Sequence, residues 1–292
     1  MDRFKVSSHQ DGRRLDKVIR GIWPSLPLGA MMKAFRKKQV RVDGVRATFD
    51  QRLMEGQEVV VPWEPAEDPV VVSSKGSLET IYRDDHLWVI DKPPGLLSQP
   101  DSKGGDSVVT RAQSIGGEFK PQAVHRLDRN TSGVMILALS GKVLRELSSM
   151  WRGREITKTY WALVSGEIKE AGRVDAPLLK DQDSNKVKVD RRGQDALTLY
   201  TPLASGEGCT LCEVVLVTGR SHQIRVHMAH IGRPLLGDIK YGPPHQRERR
   251  PMLHARSISL SMAATGDLLF EAPLPDDMVQ ACLKRSVDLD SL

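Results

Sequence analysis

One carboxylate in this sequence stands between two guanidiniums. In HRLDRNTSG, residues 125–133, Asp128 lies between Arg126 and Arg129. A neighbouring cation favours the ionised form of an acid, because opposite charge lowers its pKa. An ionised carboxylate in a pocket can act as a nucleophile. It is too weak a base at neutral pH to carry protons alone. The same residues also fit a plain turn in which Asp128 caps a backbone and pairs with an arginine. A second polar cluster, TGRSHQIRVH over 218–227, tips the balance by adding Arg220 and Arg225 ahead of an apolar helical run. Tyr160, in KTY, offers a flat stacking face and a hydroxyl.

Other chemistries are poorly supplied. Cys209 and Cys212 form a Cys-x-x-Cys, but no second pair follows. Their segment reads as a strand, where residues three apart point to opposite faces. With Cys282 they make an odd trio, which argues against a disulfide framework. His222, His227 and His230 fall in one expected helix ending at Gly232, and the first two sit about 140° apart, so they do not converge on a metal. The sequence has no HExxH, Walker loop or GxGxxG after a strand, and TSGV does not match G-x-S-x-G.

These residues need elements to hold them. Directly after the acid comes GVMILAL, a continuous apolar run of strand length, the pattern of a strand buried on both faces. Upstream, TIYRDDHLWVIDKPPGLL predicts strand, acidic turn, strand and a tight Pro-Pro-Gly turn; SVVTRAQSI begins a short helix. KVLRELSSMWRG is an amphipathic helix with Val143, Leu144, Leu147 and Trp151 on one stripe. KTYWALVSGEI is a strand, ALTLYTPLA and CTLCEVVLVTG a long antiparallel pair, and SISLSM and LLFEAP the last strands. Strands outnumber helices without alternating one for one. The expected class is therefore α+β on a mixed or antiparallel sheet, over residues 79–292. HQRERR, residues 245–250, reads as a surface loop with a phosphate-contacting role open to it.

The 292 residues carry a net charge of +6, and its placement is informative. Residues 1–41 hold 11 Lys/Arg against 3 Asp/Glu, leaving 32 against 34 elsewhere. The excess sits wholly at one end, the footprint expected for a phosphate backbone. That end has helical periodicity, with Leu15, Val18, Ile19 and Ile22 on one face and Leu28, Met31, Met32 and Phe35 on another. Lys33, Arg36 and Lys37 fall opposite the second face. VRVDGVRA reads as a hairpin about Asp-Gly and GQEVVVP as a strand. Residues 1–62 thus form a small α/β module with an outward basic ridge, suited to folded RNA. Residues 63–78, WEPAEDPVVVSSKGSL, read as a linker. No apolar run reaches membrane-spanning length and no signal-peptide core is evident, so a cytoplasmic setting is expected.

The pattern RLDKVI…KKQVRVDGV resembles the S-four RNA-binding domain. The larger part resembles the RluA family of pseudouridine synthases through VIDKPPGLL, HRLDRNTSGVMILA, KTYWALVSG and TGRSHQIRVHMAHIGRPLLGDIKYG, in family order over residues 79 to about 285. The combination is similar to the RluC and RluD type. The resemblance implies an enzyme, an isomerase that breaks the glycosidic bond of a uridine in RNA, turns the uracil and rejoins it through carbon, with no cofactor or metal. It places Asp128 at the catalytic aspartate, acting either on the sugar as a nucleophile or in removing a sugar proton. Arg225 matches that aspartate's salt-bridge partner. Tyr160 matches the residue that packs on the base and takes its ring proton. Arg126 matches an arginine that fills the space left by the flipped nucleotide, and extrusion is required because a stacked nucleotide hides its glycosidic carbon. Arg220, with Lys33, Arg36 and Lys37, would contact RNA. LLSQPDSKGG departs from the RluC and RluD types in lacking a histidine often present there. The partner expected is ribosomal RNA of the large subunit, with transfer RNA the alternative, and the protein acting as a monomer away from membranes. A non-catalytic assembly factor would have no need of Asp128, Tyr160 and Arg225 together, and a glycosidase would need two carboxylates.

Overall fold

A computed structural model describes residues 2–7, 10–23, 26–63, 76–101, 104–115, 120–181, 186–244, 247–262, 266–290 and 292. The front of the chain builds its own small sheet. It runs β1 (Asp2–Lys5), α1 (Leu15–Ile22), α2 (Leu28–Arg36), β2 (Arg41–Val42), β3 (Val45–Arg46) and β4 (Glu58–Val61). The strands order β1-β4-β2-β3, and Leu15, Val18, Ile19, Met31, Leu53 and Val59 fill the space beneath the helices. Asp43 and Gly44 both take positive φ, 50° and 77°, the conformation of a type I′ hairpin turn, which is why Asp-Gly stands there. Lys33, Arg36 and Lys37 are exposed as expected. Leu28 departs from its expected apolar face. It opens α2 and is 59% exposed. Strand β1 lies in a segment whose sequence is mixed and carries no clear alternation. Most of the expected linker, residues 64–75, lies outside the described residues.

The larger body continues with β5 (Glu79–Arg83), β6 (Leu87–Lys92), α3 (Val108–Ser114), β7 (Gln122–Ala123), β8 (Ser132–Ala138), α4 (Gly141–Gly153) and β9 (Thr157–Ser165). Then come β10 (Gly172–Asp175), β11 (Leu178–Lys180), β12 (Val187–Val189), β13 (Leu197–Gly206), β14 (Cys209–Leu216) and α5 (Gln223–His230). It closes with β15 (Leu253–Met262), β16 (Gly266–Glu271) and α6 (Asp276–Leu283). The main path orders β10-β13-β14-β9-β15-β8-β6-β5, with β16 on β15 and β7 on β8. Pairing is antiparallel throughout except β15 with β8, so the sheet is mixed and the class α+β.

Strand β8 explains its apolar run. Met135 and Leu137 pack on one face with Trp88, Ile90, Ile224 and Met228. Val134, Ile136 and Ala138 pack on the other with Val143, Leu147 and Ile258. All seven residues of β8 are buried. Gly133 has φ 113°, and a Cβ there would fall on the Ala255 carbonyl of β15, so only glycine permits the parallel contact. Cys209 and Cys212 are both buried and face separate cores, as strand alternation requires. Among the described residues, no helix is long and apolar enough to cross a membrane.

Candidate active site

The loop from β7 to β8 carries Asp128, and alternation in it decides what faces out. His125 and Leu127 turn inward, 8% and 6% exposed, while Arg126 is exposed and Asp128 half-buried. The His125 ring stacks on Trp151 at 4.3 Å and accepts the Ile136 N–H through Nε2 at 3.0 Å. Both backbone polar groups of Leu127 meet Ser98: Oγ donates to its carbonyl at 2.8 Å and accepts its N–H at 3.0 Å. Lys92, fully buried, donates to the carbonyls of Pro93, Leu96 and Arg129 at 2.9, 2.8 and 3.1 Å. The Gly95 N–H also reaches the Arg129 carbonyl, at 2.9 Å. Gly95 takes φ 85° after two prolines, the geometry of a type II turn. The KPPG turn is therefore a clamp under the acid's loop.

Arg250 is a second clamp and corrects the expectation of a surface loop at 245–250. Residues 245–246 lie outside the described residues and Arg247 and Arg249 are exposed, but Arg250 is 6% exposed. It pairs with Asp277 of α6 at 2.6 and 2.7 Å and donates to the Asn130 carbonyl at 3.1 Å. A buried guanidinium needs both charge and acceptors, and a charge run in sequence gives no sign of which arginine finds them.

Asp128 receives two cationic or polar groups, both on Oδ2. Arg225 Nη1 lies at 3.5 Å and His222 Nε2 at 3.8 Å. No hydrogen bond or ion pair among the described residues reaches Oδ1. The main partner of Arg225 is another acid. Its Nε and Nη2 each donate to Asp238 at 2.7 Å, and Asp238 is 1% exposed. Arg225 thus reaches Asp128 with its one remaining face, and its position is fixed by Asp238. The Asp238 Oδ1 also accepts the N–H groups of Lys240 and Tyr241, shaping the turn from which Tyr241 stacks beneath the guanidinium at 5.1 Å.

His222 does not continue the helix: it caps α5 in the left-handed region, φ 55°, beside the acid. Its Nδ1 shares a 2.6 Å hydrogen bond with the Tyr241 hydroxyl, which also accepts the Val187 N–H. Burial holds its pKa below the usual histidine value, against the pull of Asp128. His227 goes elsewhere: it is wholly buried between Thr198 and the Ala176 carbonyl.

Tyr160 lies on β9, 9% exposed, in the wall of the same cleft. Burial, then Asp128, pushes its hydroxyl well above the ordinary tyrosine value, so it is a phenol at neutral pH. That state suits packing on a base and disfavours taking a proton from it. The cleft has a volume of about 850 Å³ and is lined by Arg126, Asp128, Tyr160, Arg220, His222 and Arg225, among others. The fold thus gathers five of the expected residues. Lys33, Arg36 and Lys37 do not line it. Asp238, Lys92 and Ser98 are not among the expected site residues, and His222 and Arg250 are expected only as a helical histidine and as part of a surface loop.

A family model described as RNA pseudouridylate synthase matches residues 86–230. The ribosomal large subunit pseudouridine synthase D of Pseudomonas aeruginosa is 32% identical over 289 residues, covering 92% of this chain and 90% of that protein. The ribosomal large subunit pseudouridine synthase C of Vibrio cholerae is 33% identical over 303 residues, covering 96% and 95%. Among solved structures, human RNA pseudouridylate synthase domain containing 4 is similar with a TM-score of 0.61 and 27% identity over 72% of this chain and 94% of that one. Likeness of this extent runs through the loop of Asp128 and nearly the whole length around it, and the chain belongs to the RNA pseudouridylate synthase family, the isomerases that turn uridine in RNA into pseudouridine.

Proposed function

We propose that the protein converts uridines of large-subunit ribosomal RNA in the cytoplasm, acting as a monomer, with Asp128 as the catalytic carboxylate. The observation that carries this is the arrangement around that acid. Oδ2 is engaged by Arg225 and His222, no described residue bonds Oδ1, Asp128 lines the cleft, and the loop below is clamped by Lys92 and Ser98. A carboxylate held this way meets a substrate without reorganising. Either first step, attack on the sugar or removal of a sugar proton, would use the free oxygen. Tyr160 would pack on the extruded uracil, and Arg126, exposed at the rim, would fill the vacated stack. Arg220 would contact the RNA backbone at the mouth, and Lys33, Arg36 and Lys37 would hold RNA farther out. The target class is favoured by the ribosomal names of the relatives and by the basic front module.

The test incubates purified protein with large-subunit ribosomal RNA and, separately, with transfer RNA, and maps pseudouridines by carbodiimide-dependent reverse-transcription stops. Conversion at defined positions of ribosomal RNA is expected, with Asp128→Asn inactive yet still binding. Conversion of transfer RNA alone would overturn the target. Asp128→Asn turnover within about tenfold of wild type would overturn the catalyst, since loss of a covalent or general-base group costs at least 10².

A further inference from the structure

Among the described residues of this body two lysines are buried, and they differ in one respect. Lys92 is surrounded by three carbonyls. Lys158, 7% exposed on β9, has neither a hydrogen bond nor a carboxylate partner among the described residues. The contact its ammonium makes is with the Trp151 ring, 5.6 Å from the centroid. The charge acting on it is a second cation, Arg154, which caps α4 in the left-handed region. Burial and then Arg154 both hold its pKa below the ordinary lysine value. A desolvated ammonium without a counter-ion is unfavourable, and an apolar side chain of like size would serve packing better. A buried ammonium with a second cation as the one charge acting on it, and no carboxylate bonded to it, makes a place for an anion.

The position says which anion. Lys158 precedes Tyr160 by two residues on one strand, so both side chains project from the same face, about 7 Å apart along it. Lys158, Trp151, Tyr160 and Asp128 line the same cleft. The spacing is comparable with that between a nucleobase and its own phosphate. We propose that Lys158 binds a backbone phosphate of the nucleotide whose base lies against Tyr160. This rests on the reading that the cleft receives a uridine of RNA. It gives the cleft an anchor for the extruded nucleotide, separate from the group that reacts.

The experiment uses the full chain and an RNA fragment that the wild type converts. Lys158→Met and Lys158→Arg are compared by binding across a salt series. Lys158→Met removes a buried charge, and its melting temperature should stay level or rise; Lys158→Gln replaces it if Met packs badly. Loss of one charged contact should weaken binding roughly tenfold at moderate salt. The slope of log affinity against log salt should become shallower by about 0.7, the value for one phosphate of a single strand. Lys158→Arg should restore the slope. Neutral methylphosphonates are then placed singly on the 5′ or 3′ side of the target uridine. One of them should cost the wild type the same tenfold and cost Lys158→Met nothing more. Wild-type slope and affinity in both uncharged variants would overturn the proposal, as would a methylphosphonate penalty equal in wild type and variant at both positions. Failure of the wild type to convert any fragment would instead strike at the proposed function, and the slope comparison on bound RNA would still judge Lys158.

Discussion

Replacing Asp238 with asparagine perturbs the site without touching any residue expected to meet substrate. The Arg225–Asp238 pair is bidentate at 2.7 Å on both arms, with side chains 11% and 1% exposed. Removing one member of a buried pair leaves the other charge uncompensated, at roughly 3–5 kcal/mol. For a body of this size each kcal/mol moves the melting temperature by about 2–4 °C, so Asp238→Asn should melt roughly 6–20 °C lower. The stranded guanidinium then has Asp128 as its nearest acid, 3.5 Å away. At an effective dielectric of about 20 that attraction is on the order of 5 kcal/mol, enough to draw Arg225 onto the carboxylate and displace both. A shift of that kind costs around 10² in rate. Circular-dichroism melts give the first number. Single-turnover conversion of an RNA fragment, measured well below both melting temperatures, gives the second. A melting temperature within about 2 °C of wild type together with a rate within twofold would refute the view that Asp238 holds the arginine in place.

Three further outcomes follow from the same structure. Deleting residues 1–62 should leave a folded catalytic body whose binding to a ribosomal RNA fragment is weaker and less salt-dependent, since fewer counterions are released; parallel lines of equal affinity would exclude the basic module from RNA binding. Gly133→Ala should cost more than about 1 kcal/mol in denaturant unfolding, because φ 113° and the Ala255 carbonyl both oppose a side chain, and an unchanged midpoint would contradict that packing. Stability should fall from pH 6.5 towards pH 4. Burial holds His125 at about 3 and His254 at about 4, so the unfolded chain takes up protons that the folded chain refuses. Their stabilisation is present above the unfolded value and lost as pH falls, at roughly 2.7 kcal/mol per unit for the two. Asp91, raised to about 6 by burial and Glu79, runs the other way and offsets part of this. Equal urea midpoints at pH 7 and pH 5 would contradict this account.

What could be read from sequence was local or periodic. The seven buried residues of β8, the stripe of α4 and the Asp-Gly turn follow from side-chain period and backbone preference, and the structure has them. Asp128, Tyr160, Arg220 and Arg225 announced themselves as a lone acid, a ring and cations in short polar clusters. Their pairing did not. Asp238 reaches Arg225 across 13 residues because α5 and the following turn bring them together, and spacing carries no trace of that. Arg250 looked like its neighbours in a charge run until α6 supplied Asp277. Helical angles do not apply to His222, because it caps the helix in a left-handed conformation. Lys92 had a signal that was available: a lysine ahead of Pro-Pro-Gly stands where several carbonyls turn inward together.

The burial of β8 on both faces bears on how the enzyme fails. Its amide protons lie at the centre of the sheet, between the two largest cores, and should be among the slowest to exchange with solvent. The loop of Asp128 is rooted in that strand and tied by Lys92 to the strand beside it. These ties couple opening of the acid's loop to loosening of the sheet. Heat should therefore leave each catalytic body either competent or unfolded, and the inactivation curve should lie on that body's unfolding curve instead of preceding it.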